Sequence, residues 1–163
     1  MAWSRFASVA ALAVASAQLT AQSGPGLTLD KKVLTLAAAR TIVAAAEAEA
    51  TRRGLGVVIV VVDDSGTVIE LTRMDAAQIA SVNVGIGKAR TAAIYRRPSR
   101  DFEEQIRDGR VAALALADAT PLQGGVPVLI GGRVVGAVGV SGDSPRVDEE
   151  IAIAGMRAIS GGK

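Results

Sequence analysis

Apolar positions along this chain follow two periods, and the switches between them mark out the elements. Val57 to Val62 is an unbroken β-branched run, the pattern of a strand buried on both faces. Asp63-Asp64-Ser65-Gly66 follows it. Aspartates that bond their own backbone and a glycine free to take positive φ make this a turn. Thr67 to Arg73 then returns as a second strand. Val126 to Ile130 and Arg133 to Val140 are two further strand-like runs separated by Gly131-Gly132, a step that predicts a tight β-hairpin. Pro127 donates no ladder hydrogen bond, so its strand should begin there or lie at an edge. Gly136 and Gly139 weaken the partner strand unless something packs close against its backbone.

The helical period governs the rest. Asp30 to Arg53 places Val33, Leu36, Ala37, Ile42, Val43 and Ala46 near one face. Asp30 or Thr28 is the candidate cap, and Gly54 suits the position just past the end. A second helix is predicted from Ile79 to Tyr95. Gly85 and Gly87 inside it cost about 1 kcal/mol each relative to alanine, which points to close packing or to a ligand against the backbone. Pro98 stops this helix after Arg96-Arg97. Ser99 would cap a short helix over Arg100 to Arg107, closed by Asp108-Gly109. Val111 to Leu116 reads equally as strand or helix. After the break at Ser141 to Pro145, a last helix is expected with Ser144 or Asp148 as cap and Ile151, Ala154 and Ala158 on one face. Hairpins interleaved with helices predict an α+β domain, an antiparallel sheet covered by helices.

Composition narrows the chemistry. The 163 residues suit one domain, and half are hydrophobic. Only four are aromatic, and Trp3 and Phe6 lie at the extreme N-terminus, so the core must be aliphatic. The net charge of +2 comes with no basic run, which gives no support to a nucleic-acid partner. Cysteine and histidine are both absent. That excludes thiol catalysis, disulfides, Ser-His-Asp triads and the usual zinc sites, and removes the commonest haem ligand.

Residues 1–21 read as a secretory signal. Arg5 supplies the positive start, and Phe6 to Ala17 is an apolar stretch too short to span a bilayer comfortably. Ala15-Ser16-Ala17 and Leu19-Thr20-Ala21 are alternative cleavage patterns. Residues 22–28 would be a linker and 29–160 the domain. A periplasmic or secreted protein is expected, with no membrane contact after cleavage.

Gly125 to Gly142 has the form GxPxxxGGxxxGAxGVSG, followed by an aspartate and Ala152-Ile153-Ala154-Gly155. With Met74-Asp75, Gly87-Lys88-Ala89-Arg90-Thr91-Ala92 and Arg97-Pro98-Ser99, this resembles the GlcG/HbpS family of haem-binding or haem-degrading domains, to which the C-terminal domain of PduO-type corrinoid enzymes is related. The resemblance runs from about Leu29 to Ala158. It implies a five-stranded antiparallel sheet flanked by helices, profilin-like, assembly into a homo-oligomer, and haem or a related tetrapyrrole as ligand.

The candidate site gathers Met74-Asp75, the helix bearing Lys88, and the loop from Thr120 to Gly125 at one end of the sheet. Its polar or backbone groups are Asp75, Lys88, Arg90, Thr91, Arg97, Gly124 and Gly125, each with an ordinary surface or packing role as the alternative. Asp75 is expected to cap the helix or pair with Lys88. Tyr95 is a candidate iron ligand in a chain without histidine, with helical packing as its alternative; Met74 and Met156 stand similarly between soft ligand and core. No metal site is expected. The leading function is an exported, homo-oligomeric small-molecule-binding protein. The rival is an enzyme for a small carboxylate metabolite, with Lys88, Arg90 or Arg97 holding the carboxylate and Asp75 as acid or base.

Overall fold

The computed structural model describes residues 26–160. The expected signal, most of the linker and the last three residues lie outside that range. Gly26 to Lys31 carries no helix or strand, and the compact body described below begins at Lys32.

The body contains helices α1 (Leu36–Arg52), α2 (Ser81–Ile94), α3 (Arg100–Arg107) and α4 (Pro145–Ser160), and strands β1 (Val58–Asp63), β2 (Val68–Arg73), β3 (Gly125–Ile130) and β4 (Arg133–Ser141). Every strand pairing is antiparallel, in the order β2-β1-β4-β3. The domain is therefore α+β, as expected. The sheet has four strands among the described residues, not five. Val111 to Ala115 instead forms a 3₁₀ turn. Only Ala113 of this turn is buried, and Val111 and Leu114 are exposed, so the segment lacks the alternating burial of a sheet strand.

β1 sits between β2 and β4 and is buried from Val58 to Val62. Its alternating side chains feed two cores. Val57, Ile59 and Val61 pack with α1 and α4 residues such as Ile42, Ala46 and Ile151. Val58, Val60 and Val62 pack with Ala89, Ala92 and Ala93 of α2. A side-chain period of two makes this division unavoidable once both faces are covered. Gly131 and Gly132 both have positive φ, +60° and +75°, as the two-residue hairpin demands. β3 is an edge strand, which accommodates Pro127.

The glycines of β4 permit close approach. A side chain on Gly139 would run into the backbone of Gly85 and Ala89 on α2, and one on Gly136 into the carbonyl of Val62. Gly85 in turn faces the side chain of Val60, with an added Cβ only 3.2 Å from it. The helix and the sheet approach each other through glycine on both sides.

Two helix readings need correction. α1 starts at Leu36, not near Asp30. Thr35 caps it, its Oγ1 accepting from the Ala38 amide at 3.1 Å, so neither Asp30 nor Thr28 is required. The buried stripe is Ala39, Ile42, Val43, Ala46 and Ala50, whereas Val33, Leu36 and Ala37 stay exposed. In α4 the buried face is Asp148, Glu149, Ile151, Ala152 and Gly155. Ala158 is exposed and Ala154 half-buried, while two acidic residues take buried positions that hydrophobicity alone assigns to solvent.

Candidate functional site

α2 lies across the sheet with Lys88 buried beneath the loop that leads into β3. The Lys88 ammonium donates to Asp148 Oδ2 at 2.7 Å and to the Val140 carbonyl at 3.1 Å. Both charged side chains are almost fully buried, at 4% and 2% exposed. The other oxygen of Asp148 accepts from the Asp143 amide at 3.0 Å. Burial pushes the Asp148 carboxyl above its ordinary range, opposed by the hydrogen bond from Lys88.

The expected glycine pair closes over this lysine. Gly124 has φ +129°, and a Cβ there would sit 2.8 Å from the Lys88 ammonium nitrogen. A Cβ on Gly125 would collide with the Lys88 carbonyl. Thr91 joins the same loop: its hydroxyl donates to the Gly87 carbonyl at 2.7 Å and accepts from the Thr120 amide at 2.7 Å. Gly87 is glycine because Thr120 occupies the space its side chain would need. Lys88, Thr91, Gly124 and Gly125 therefore converge as expected, but as a packed joint whose lysine is already paired.

The other candidates lie elsewhere. Arg90 packs on the β1–β2 turn, its Nε donating to the Gly66 carbonyl at 3.4 Å. Asp75 is exposed; it neither caps α2, which has no side-chain cap, nor pairs with Lys88, whose partner is Asp148. Tyr95 donates its hydroxyl to the Ala117 carbonyl at 2.7 Å and meets Phe102 edge-on, with ring centroids 5.1 Å apart. Arg97 stacks on the same Phe102 at 4.1 Å from the ring centre, and its buried Nε has no hydrogen-bond partner among the described residues. The cations that a carboxylate-metabolite enzyme would need thus point to three different surroundings.

Residues with no assigned site role in the sequence hold the loop. Ser99 starts α3 without capping it. Its hydroxyl donates to the Leu122 carbonyl at 2.6 Å and accepts from the Gly125 amide at 2.8 Å. Glu103 accepts from the Gln123 amide at 2.5 Å, and the Gln123 side chain donates to Glu149 at 2.7 Å. Buried Glu149 is also paired with Arg100 at 2.8 Å. One signal for Asp148 exists in the sequence: it stands three residues before Ile151, on the apolar side of α4.

Between α3 and this loop lies a cleft of about 470 Å³, lined by Glu103, Ile106, Leu114, Ala119, Thr120, Pro121 and Leu122. Leu114 and Leu122 are 65% and 42% exposed, and neighbouring Val111 is also exposed, so an apolar rim surrounds it. The volume falls within the range of small-molecule pockets. No group of three or more acidic residues among the described residues is placed to hold a metal ion.

The fold and sequence have known counterparts. The model of a family described as haem degrading protein HbpS-like matches residues 34–157. Protein GlcG of Escherichia coli strain K12 is 40% identical over 111 residues, covering 68% of this chain and 83% of GlcG. Protein ORFY of Klebsiella pneumoniae has a similar structure, with a TM-score of 0.79 and 30% identity, covering 84% of this chain and 97% of that one. A double mutant of HbpS from Streptomyces reticuli has a TM-score of 0.76 and 28% identity, with 96% of this chain and 99% of that one covered.

Proposed function

The chain belongs to the HbpS-like family, and on that premise we propose that it is an exported, homo-oligomeric binding protein for a small molecule, with haem or a related tetrapyrrole as ligand. The observation that carries this reading is the apolar-rimmed cleft beside α3. Solvent-exposed leucines around a concave apolar surface favour a ligand with a large apolar face. The family description names haem as the ligand class to test first.

The residues suit the macrocycle better than its iron. Leu114, Pro121 and Leu122 offer the apolar surface that a porphyrin face would cover. Among the side chains weighed as iron ligands, Tyr95 is bonded to Ala117, the Met156 sulfur meets the Ser160 hydroxyl at 3.0 Å and Met74 packs against the core. The chain's contribution is therefore to bind and shield the ligand. Export rests on the N-terminal sequence pattern, and assembly on the family resemblance.

Haem titration of the purified protein tests the proposal. A saturable Soret shift at micromolar protein, weakened by Leu114→Asp, is the expected result. Absence of any spectral change would remove the tetrapyrrole reading. Light scattering and the N-terminal sequence of the protein recovered from its host would test assembly and export.

A further inference from the structure

We propose that Glu149, which is not part of the cleft lining, is the positioning residue that sets the spacing of the cleft's two walls; its bearing on affinity rests on the reading of that cleft as a ligand site. One wall is α3, through Glu103 and Ile106, and the other is the loop that ends at Leu122. Glu149 Oε2 accepts from Arg100 Nη1, at the start of α3, at 2.8 Å. The same oxygen accepts from the side-chain amide of Gln123, the residue after Leu122, at 2.7 Å. One oxygen therefore holds both walls, on a side chain only 6% exposed.

Glu149 stands on a fixed base. Ile151 and Ala152 of α4 are fully buried, and Gly155 lies against Ile42 of α1. By contrast, α3 buries only Phe102 among its eight residues, and an element with so little burial moves easily. Ser99 and Glu103 also bond the loop, but both belong to the segment being positioned. The loop has a further anchor in the Thr91 hydroxyl on α2, so α3 is the wall that depends on Glu149. A charge-assisted bond from Arg100, screened from water on the Glu149 side, is the strong form of such a tie. A wall held in place before the ligand arrives binds more tightly than one that must be ordered on binding.

The tie can be cut without unfolding the chain. Arg100 is half-exposed and already has Glu104 at 3.6 Å, so Glu149→Met strands no buried cation. The chain has no cysteine, so spin labels at Arg107→Cys on α3 and Leu122→Cys on the loop report the wall spacing by pulsed electron resonance, with no ligand present. Glu149→Met and Arg100→Met should each broaden that distance distribution. In the unlabelled protein each should weaken haem binding about fivefold. The double variant should match the single ones, because both changes cut the same tie. Glu149→Gln keeps an acceptor oxygen and should restore most of the order, and Glu104→Gln should change nothing. Unchanged spacing in Glu149→Met, unchanged affinity there when the parent binds haem, or additive losses in the double variant would each overturn the proposal. A parent that binds no haem, yet whose walls loosen in Glu149→Met, would sink the tetrapyrrole reading alone and uphold the role of Glu149.

Discussion

Lys88 and Asp148 are 60 residues apart in the chain and 2.7 Å apart in the fold, and almost no water reaches either. This pair ties α2 to the start of α4 beneath the loop that walls the cleft. Two desolvated charges are tolerable only together, since removal of one leaves the other buried and uncompensated.

Breaking the pair from either side should therefore be costly. Lys88→Met or Asp148→Asn is expected to lose about 3–5 kcal/mol, whereas the double variant Lys88→Met/Asp148→Leu should come close to the parent or exceed it. Urea unfolding of the three variants measures this. Equal losses in single and double variants would mean that the pair is not coupled.

The sign of the Asp148 titration follows from its cause. Burial raises its folded value above the ordinary 3.8, so the stability it contributes is fully present below 3.8 and is lost as pH rises through the folded value. Glu49 behaves oppositely. Hydrogen bonds from Arg52 and then Arg53 lower its carboxyl from 4.5 to about 2. Its contribution is present above 4.5 and lost as pH falls through about 2. Glu49→Gln should flatten the stability profile between those limits. Unfolding midpoints taken from pH 2 to pH 5 in both proteins decide it.

Glycine substitutions should separate close packing from turn geometry. Gly139→Ala drives a methyl into the backbone of α2, where nothing flexible can yield, and is expected to cost about 3 kcal/mol. Gly131→Ala meets open space and only the strain of φ +60°, so about 1 kcal/mol is expected. Thermal unfolding should rank them in that order.

Ser99→Ala strips the Gly125 amide of its side-chain acceptor and frees the Leu122 carbonyl. An unpaired buried amide costs about 1–3 kcal/mol. Hydrogen exchange should speed up at Gly125 and along residues 120–124, with α1 unaffected.

Tyr95→Phe removes the bond to Ala117 but keeps the ring on Phe102. If haem is bound without tyrosine ligation, the Soret band of the loaded variant should match that of the parent. A shifted band would identify Tyr95 as an iron ligand.

The chain's local patterns settle much of this architecture before any contact is known. Six β-branched residues at Val57 to Val62 can be buried only as a strand with cores on both sides, and Gly131-Gly132 allows few geometries but a hairpin. These depend on backbone sterics and side-chain period, which neighbouring residues fix among themselves. The resemblance carried by the glycine-rich hairpin likewise named the family. Local pattern could not settle Val111 to Ala115, where strand and helix fit equally; in the fold it is a 3₁₀ turn with only Ala113 buried. Nor could it assign partners to charges. Lys88 faced Asp75 as the nearer candidate, yet folding delivered Asp148; Ser99 had the sequence of a cap, yet its hydroxyl serves the loop at Leu122 and Gly125. Hydrogen bonds and ion pairs act only over a few ångströms, so the identity of a buried partner exists only once distant segments have been packed together.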